Sequence, residues 1–389
     1  IVLEVVAPAR FAFAANTQER TLSIFRCDAD TGRLLPSSYH FMTDPITGDN
    51  KGQPRHVEAH PSGDWLFVTT NTDVLVVYAV DPANGDLSYT DGEYLGAGAP
   101  HPLVVSSAGD VVHVGGQGAS PLRSFSFDTA TGELLSAGVP VATSPIHDMI
   151  LSEDGARLVT LDRDSEIVRS FAVDASGVPT QEGEYTISVG DAGDLALSRD
   201  GSNAYVAITH ASFDLLARLP IDAAGVITTE EARPSPQGSE LLTMHPDGSS
   251  IFVASSTTSE IRRFPVDSET GVLGVIGDAE TTTLGAISDL SIGAAGRWMH
   301  GADAAAGEVD LVHVDQDTLA LTAGTSARTR LGASEAPAIL RRDALLSVEP
   351  LTLYVSCGSS ATVDAFEVDP TTGLLTLIQT TPTQLGPRE

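Results

Sequence analysis

Along the whole chain, apolar and polar positions alternate with the period of two that marks a β-strand, in runs rich in Val, Ile, Leu, Phe and Thr. No stretch carries the period of an amphipathic helix. The runs recur in a unit of roughly 47 residues, and a period in that range points to propellers or solenoids. Two anchors mark the unit. The first is the turn HPSGDWLFVTT at 60–70, echoed by SSAGDVVHVGG, SEDGARLVTL, SRDGSNAYVAI, HPDGSSIFVAS and GAAGRWMHGA. Its glycines are Gly63, Gly109, Gly155, Gly201, Gly248 and Gly296, spaced 46 to 48 residues apart. A glycine there supplies the positive φ of a tight hairpin.

The second anchor is a strand ending in V-D-x-x-T-G-x-L, as in VVYAVDPANGDL and RRFPVDSETGVL. Its aspartates are Asp28, Asp81, Asp128, Asp174, Asp222, Asp267, Asp315 and Asp369. Asp in the first turn position folds back onto its own backbone, and Gly closes the turn. Asp315 lacks its Gly, and the eighth copy of the first anchor has decayed to RRDALLSVEPLTLYVS. Each unit then reads as inner strand, Gly turn, second strand, loop, third strand, Asp turn and outer strand. That is a propeller blade. The expected fold is all-β: a β-propeller of eight four-stranded antiparallel blades, with seven as the alternative. It forms one domain over 1–389, in units near 1–44, 54–97, 100–143, 146–189, 192–236, 239–285, 287–334 and 336–385.

Some positions are assigned to packing. Phe25, Tyr78, Phe125, Phe171, Phe264 and Phe366 each stand three residues before a turn aspartate and are expected in the layers between blades. Trp65 and Trp298 share one place after the turn glycine and are also expected to pack. The ends leave two readings. Either residues 2–7 form the innermost strand of the first blade, or the terminal LGPRE, which resembles GQPRH at 52–56, opens a closing strand.

Charge changes the picture of partners. There are 52 acidic residues against 21 basic ones, for a net charge of −31, and Lys51 is the lone lysine. Nucleic acids and anionic membranes need a basic footprint, so neither is an expected partner. No run reaches the ~18 apolar residues of a spanning helix, so no membrane insertion is expected. The N-terminal segment is broken by Glu4 and Arg10 and lacks a signal's cationic start, so no leader is expected within it. Cys27 and Cys357 sit in neither a zinc nor a redox motif. They are expected at strand ends on opposite rims and therefore unbonded within one chain.

Standard catalytic signatures are missing: no G-x-S-x-G, H-E-x-x-H or P-loop occurs. DRDSE at 162–166 gives Asp162, Asp164 and Glu166 calcium-like spacing, short of a full oxygen set. No cofactor is expected, with room left for a divalent cation at those three. The informative positions are the starts of the inner strands, which gather around the channel of any propeller. Aligned on the turn glycine, one position holds Arg55, His101, His147, Gly193, Glu240 and Ser288, and the next holds His56, Pro102, Asp148, Asp194, Leu241 and Asp289. Glu58 and His60 follow in the second unit. Imidazole and carboxylate at one mouth could bind a metal or exchange protons near neutral pH. Equally, each polar group could hydrogen-bond the adjacent blade. The basic and imidazole groups come from units two to four, and Asp194, Glu240 and Asp289 should lie opposite.

At these residues the chain resembles a known family. The phrases GQPRHVEAHPSGDWLFVTTN, SPIHDMILSEDG and VYAVDPANGDLS are similar to those of the lactonase-fold propellers, which include six-phosphogluconolactonase-like proteins. The resemblance implies a propeller, seven-bladed in that family against eight units here. It also implies action on lactones of sugar or aromatic acids by His, Arg and Glu at the channel mouth. Carried over by position, the implied site residues are Arg55, His56, His101, His147 and Glu240. Short uniform loops and surface charge favour another reading: an extracellular or envelope scaffold that recognises a protein or carbohydrate surface, or self-associates. Lactone hydrolysis is the alternative.

Overall fold

The computed structural model describes residues 2–6, 11–16, 20–27, 34–42, 52–96, 100–116, 122–141, 145–228, 231–255, 257–258, 260–274, 281–283, 287–292, 296–303, 308–315, 318, 320–323, 327–328, 336–339, 351–357, 362–369, 372 and 374–382. Among them, eight antiparallel sheets stand in a ring, each ordered from first strand to fourth as the chain runs. Blade 2 is representative: Pro54–Ala59 is innermost, followed outward by Trp65–Thr70, Val74–Val80 and Leu87–Tyr94. The other inner strands are Val2–Val6, Pro100–Val105, Asp148–Leu151, Asp191–Leu197, Ser239–Met244, Ile287–Ile292 and Ala336–Ile339. Blade 7 carries one extra short strand, Ala327–Arg328, beside its third.

Each inner strand neighbours that of the next blade, and Val2–Val6 neighbours Ala336–Ile339, so the ring is closed. Of the two readings for the ends, the structure selects the first: Val2 pairs with Ala15 and Val6 with Phe11, inside blade 1. The decayed turn of unit eight and the terminal LGPRE lie outside the described residues.

A period of two normally sorts core from solvent. Here it sorts one core from another. In Trp65–Thr70, Leu66 and Val68 join Phe13, Leu22 and Ile24 of blade 1, whereas Phe67 joins Leu103, Val112 and Phe125 of blade 3. Both faces of the middle strands are buried, which is why they read as almost unbroken apolar runs. The six aromatics before the turn aspartates are at most 1% exposed, as expected of inter-blade packing. Trp65 stands edge-on to Phe127 of blade 3 at 5.5 Å.

Both anchors form the turns their residues dictate. Gly63, Gly109, Gly155, Gly201, Gly248 and Gly296 all adopt φ between 70° and 79°. The turn aspartates accept N–H groups two or three residues on, as Asp81 does from Ala83 and Asp369 from Thr372. Asp28 lies outside the described residues. The glycines also answer a demand that the sequence does not display. A Cβ at Gly109 would run into the ring of His60 in the preceding blade, and one at Gly296 into that of His245.

Candidate functional site

The strand starts that share one mouth owe their geometry to a repeated irregularity. In blade 2, Pro54 pairs with Thr70 and His56 with Thr69, so Arg55 is an extra residue in a β-bulge. The same shift leaves Glu240 unpaired in blade 6 and Ser288 in blade 7, and sets Gly193 and Asp194 against Ala207 in blade 5. In blade 4 the His147 N–H goes to the Leu161 carbonyl while Asp148 also pairs with Leu161. A bulge bends the strand and re-aims one side chain. The aligned polar column is therefore a column of bulges.

Blade 2 contributes the first cluster. Arg55 is half-buried, and its Nε–H is enclosed with no hydrogen-bond partner among the described residues. Next to it, His56 Nε2 lies 3.6 Å from Glu58 Oε2, both side chains about one-third exposed. His60, two residues further along, leaves the mouth. It is buried at the far end of the strand, where Nε2 meets the Gly109 carbonyl at 3.1 Å and Nδ1 meets Ser62 Oγ at 2.9 Å. Burial lowers its pKa, partly offset by the Gly109 contact. His60 is an inter-blade tie.

Blade 4 contributes the second. Its second strand, Arg157–Asp162, ends beside the start of its inner strand. His147 Nδ1 lies 3.9 Å from Asp162 Oδ1, and Nε2 lies 3.7 Å from Asp164 Oδ2. The Arg163 amide donates to His147 Nδ1 at 3.1 Å. Asp162 Oδ1 accepts the amides of Asp164 and Ser165. Glu166 leaves this group: its Oε2 takes the Ala192 amide of blade 5 at 2.6 Å, and burial raises its pKa. His147 replaces it, from fifteen residues upstream of Asp162, where linear spacing gave no hint.

The opposite arc differs from the sequence expectation. Asp148 Oδ1 accepts the Met149 amide and Oδ2 the Leu195 amide of the next blade. Asp194 repeats the device, with Oδ1 on Leu195 and Oδ2 on the Leu242 amide of blade 6 at 2.8 Å. These carboxylates fasten successive inner strands rather than waiting for a ligand. Burial, and secondarily the charge of Asp148, raise the Asp194 pKa to about 7. Glu240 is exposed on its bulge, and its backbone packs against Gly193. His101 lies in Pro100–Val105 and Asp289 in Ile287–Ile292, but their side chains are outside those described. Among the described residues, no hydrogen bond or ion pair joins the Arg55 cluster to the His147 cluster.

Known proteins share this architecture. Residues 4–146 match the family described as "Lactonase, 7-bladed beta-propeller". Over those residues the chain is similar to that family. A Bacteroides fragilis protein provisionally described as a 6-phosphogluconolactonase is 17% identical, with 86% of this chain and 96% of that one covered at TM-score 0.61. The periplasmic gluconolactonase PpgL of Pseudomonas aeruginosa is 21% identical, with 73% and 85% covered at TM-score 0.55. Saccharomyces cerevisiae Sqt1 is 9% identical, with 92% of each chain covered at TM-score 0.69. At such identities the likeness is one of fold. No curated protein matches the sequence. Among the described residues the chain carries eight sheets, where the description of the family matched over residues 4–146 states seven blades.

Proposed function

We propose that this propeller hydrolyses a lactone of a sugar or aromatic acid at the mouth, using the bulged start of the inner strand of blade 2. The observation that carries the reading is the unspent guanidinium donor of Arg55 next to the His56–Glu58 pair, within the stretch that matches the lactonase family. His56 takes a proton from water as its oxygen adds to the acyl carbon. Glu58 stabilises the imidazolium. The ring C–O bond then breaks, and the proton passes to the departing alkoxide, leaving a hydroxy acid. Arg55 holds the carbonyl oxygen or an anionic group of the substrate, where a charge-assisted hydrogen bond is strongest. His101, His147 and Glu240 belong to the same mouth as substrate-contacting candidates.

The test is proton release from a panel of lactones: a gluconolactone, a phosphorylated sugar lactone and an aromatic-acid lactone. Turnover above the spontaneous rate that falls in His56→Ala and Arg55→Ala supports the reading. Absence of turnover across the panel returns the chain to the scaffold alternative, with a protein or carbohydrate surface, or a second copy, as partner. An envelope or extracellular location is part of the same proposal, and fractionation of the source cells tests it.

A further inference from the structure

Buried anionic oxygens are costly unless a cation or a hydrogen-bond donor meets them. The Asp162 side chain is 0% exposed. Its Oδ1 is engaged by two amides, but Oδ2 is enclosed with no hydrogen-bond partner among the described residues. The neighbouring His147 makes no hydrogen bond to that oxygen: its Nδ1 accepts the Arg163 amide and lies 3.9 Å from Asp162 Oδ1. Asp164 adds a second carboxylate, 71% exposed. The cluster thus sets an imidazole and a second acid beside a buried carboxylate that has one unmatched oxygen.

We propose that His147, Asp162 and Asp164 bind one divalent transition-metal ion, of the zinc or manganese class, at the channel mouth. One donor atom from each of the three lies within 4.8 Å of the others. Donors around a tetrahedral ion of this class stand about 3.3 to 3.6 Å apart, so separations near the 4.8 Å bound must close by about 1 to 1.5 Å. Exposed Asp164 supplies that closure by rotating inward. Mixed imidazole and carboxylate donors suit zinc or manganese better than calcium, which prefers six or more oxygens. Nδ1 is the ligating atom, and the ion takes the place of the Arg163 amide that its lone pair now accepts. Nothing here depends on lactone hydrolysis.

Isothermal titration of the full chain, stripped with a chelator, with zinc, manganese and calcium chlorides tests the site. One zinc ion should bind per chain, and His147→Ala and Asp164→Asn should each weaken it by about tenfold or more. Neither side chain is in the apolar core, and circular dichroism of the variants confirms that they fold. Calcium should bind more weakly and respond less to His147→Ala. Absence of stoichiometric zinc uptake, or uptake weakened less than tenfold in both variants, overturns the site. The readout is heat of binding, so a chain without lactonase activity tests it equally well.

Discussion

Replacing Gly109 by Ala probes whether the turn glycines serve only backbone geometry or also hold the ring together. Gly109 adopts φ 79°, and a Cβ there would meet the imidazole of His60, whose Nε2 contacts the Gly109 carbonyl. Gly155 is the control. It occupies the same turn in blade 4 at φ 71°, with nothing within 4 Å of the place a Cβ would take. Gly155→Ala should therefore cost only the left-handed strain, about 1 kcal/mol. Gly109→Ala incurs the same strain, adds overpacking of about 1 to 3 kcal/mol, and loses a hydrogen bond of about 1 kcal/mol. The expected total is about 3 to 5 kcal/mol. Urea unfolding followed by tryptophan fluorescence gives both values from the midpoint shift. Adding His60→Ala to Gly109→Ala should recover part of the loss, because the clash goes with the ring. Equal costs at Gly109 and Gly155, or no recovery in the double variant, would refute the inter-blade tie.

Three further outcomes are expected. The Asp194 pKa is raised to about 7 in the fold, so its contribution to stability is complete below about pH 4 and declines as pH rises towards 7. Asp194→Asn should flatten that slope in pH-dependent unfolding, and a wild-type-minus-variant difference constant from pH 4 to 8 contradicts it. If lactone turnover is found, His56→Ala should lower kcat by about a hundredfold or more, Glu58→Gln should lower it less, and Arg55→Ala should act chiefly on KM. Equal activity of all three moves the site elsewhere. Cys27 ends the third strand of blade 1 and Cys357 the second strand of blade 8. Third and second strands finish on opposite faces, so non-reducing peptide mapping should recover no intrachain linkage, and a linked pair would place one strand wrongly.

Local chemistry wrote most of the fold into the sequence. Gly63 and its five counterparts needed left-handed backbone, Asp81 and its counterparts needed to fold onto their own amides, and Phe171 or Tyr78 needed burial at a fixed step from the turn. Each of these is decided within a few residues, so each is visible in a linear pattern and repeats when the unit repeats. The sequence therefore determined the strand class, the unit and eight copies of it. It also aligned Arg55, His101, His147 and Glu240 in one column, though not what the column was.

Tertiary structure decided the rest. The column is a set of β-bulges, because whether a strand skips a partner depends on the hydrogen-bond register of its neighbour, not on its own alternation. Asp148 and Asp194 resembled site carboxylates and became fasteners, because amides forty-seven and forty-eight residues away come within reach only once the blades stand side by side. His60 left the mouth for the same reason, drawn to Gly109. His147 and Asp162 met because a hairpin brings the end of one strand back beside the start of another. A repeat specifies its own turns and core from short-range propensities. Which polar groups are consumed between repeats and which are left to meet a ligand depends on distances that exist only after the ring has closed.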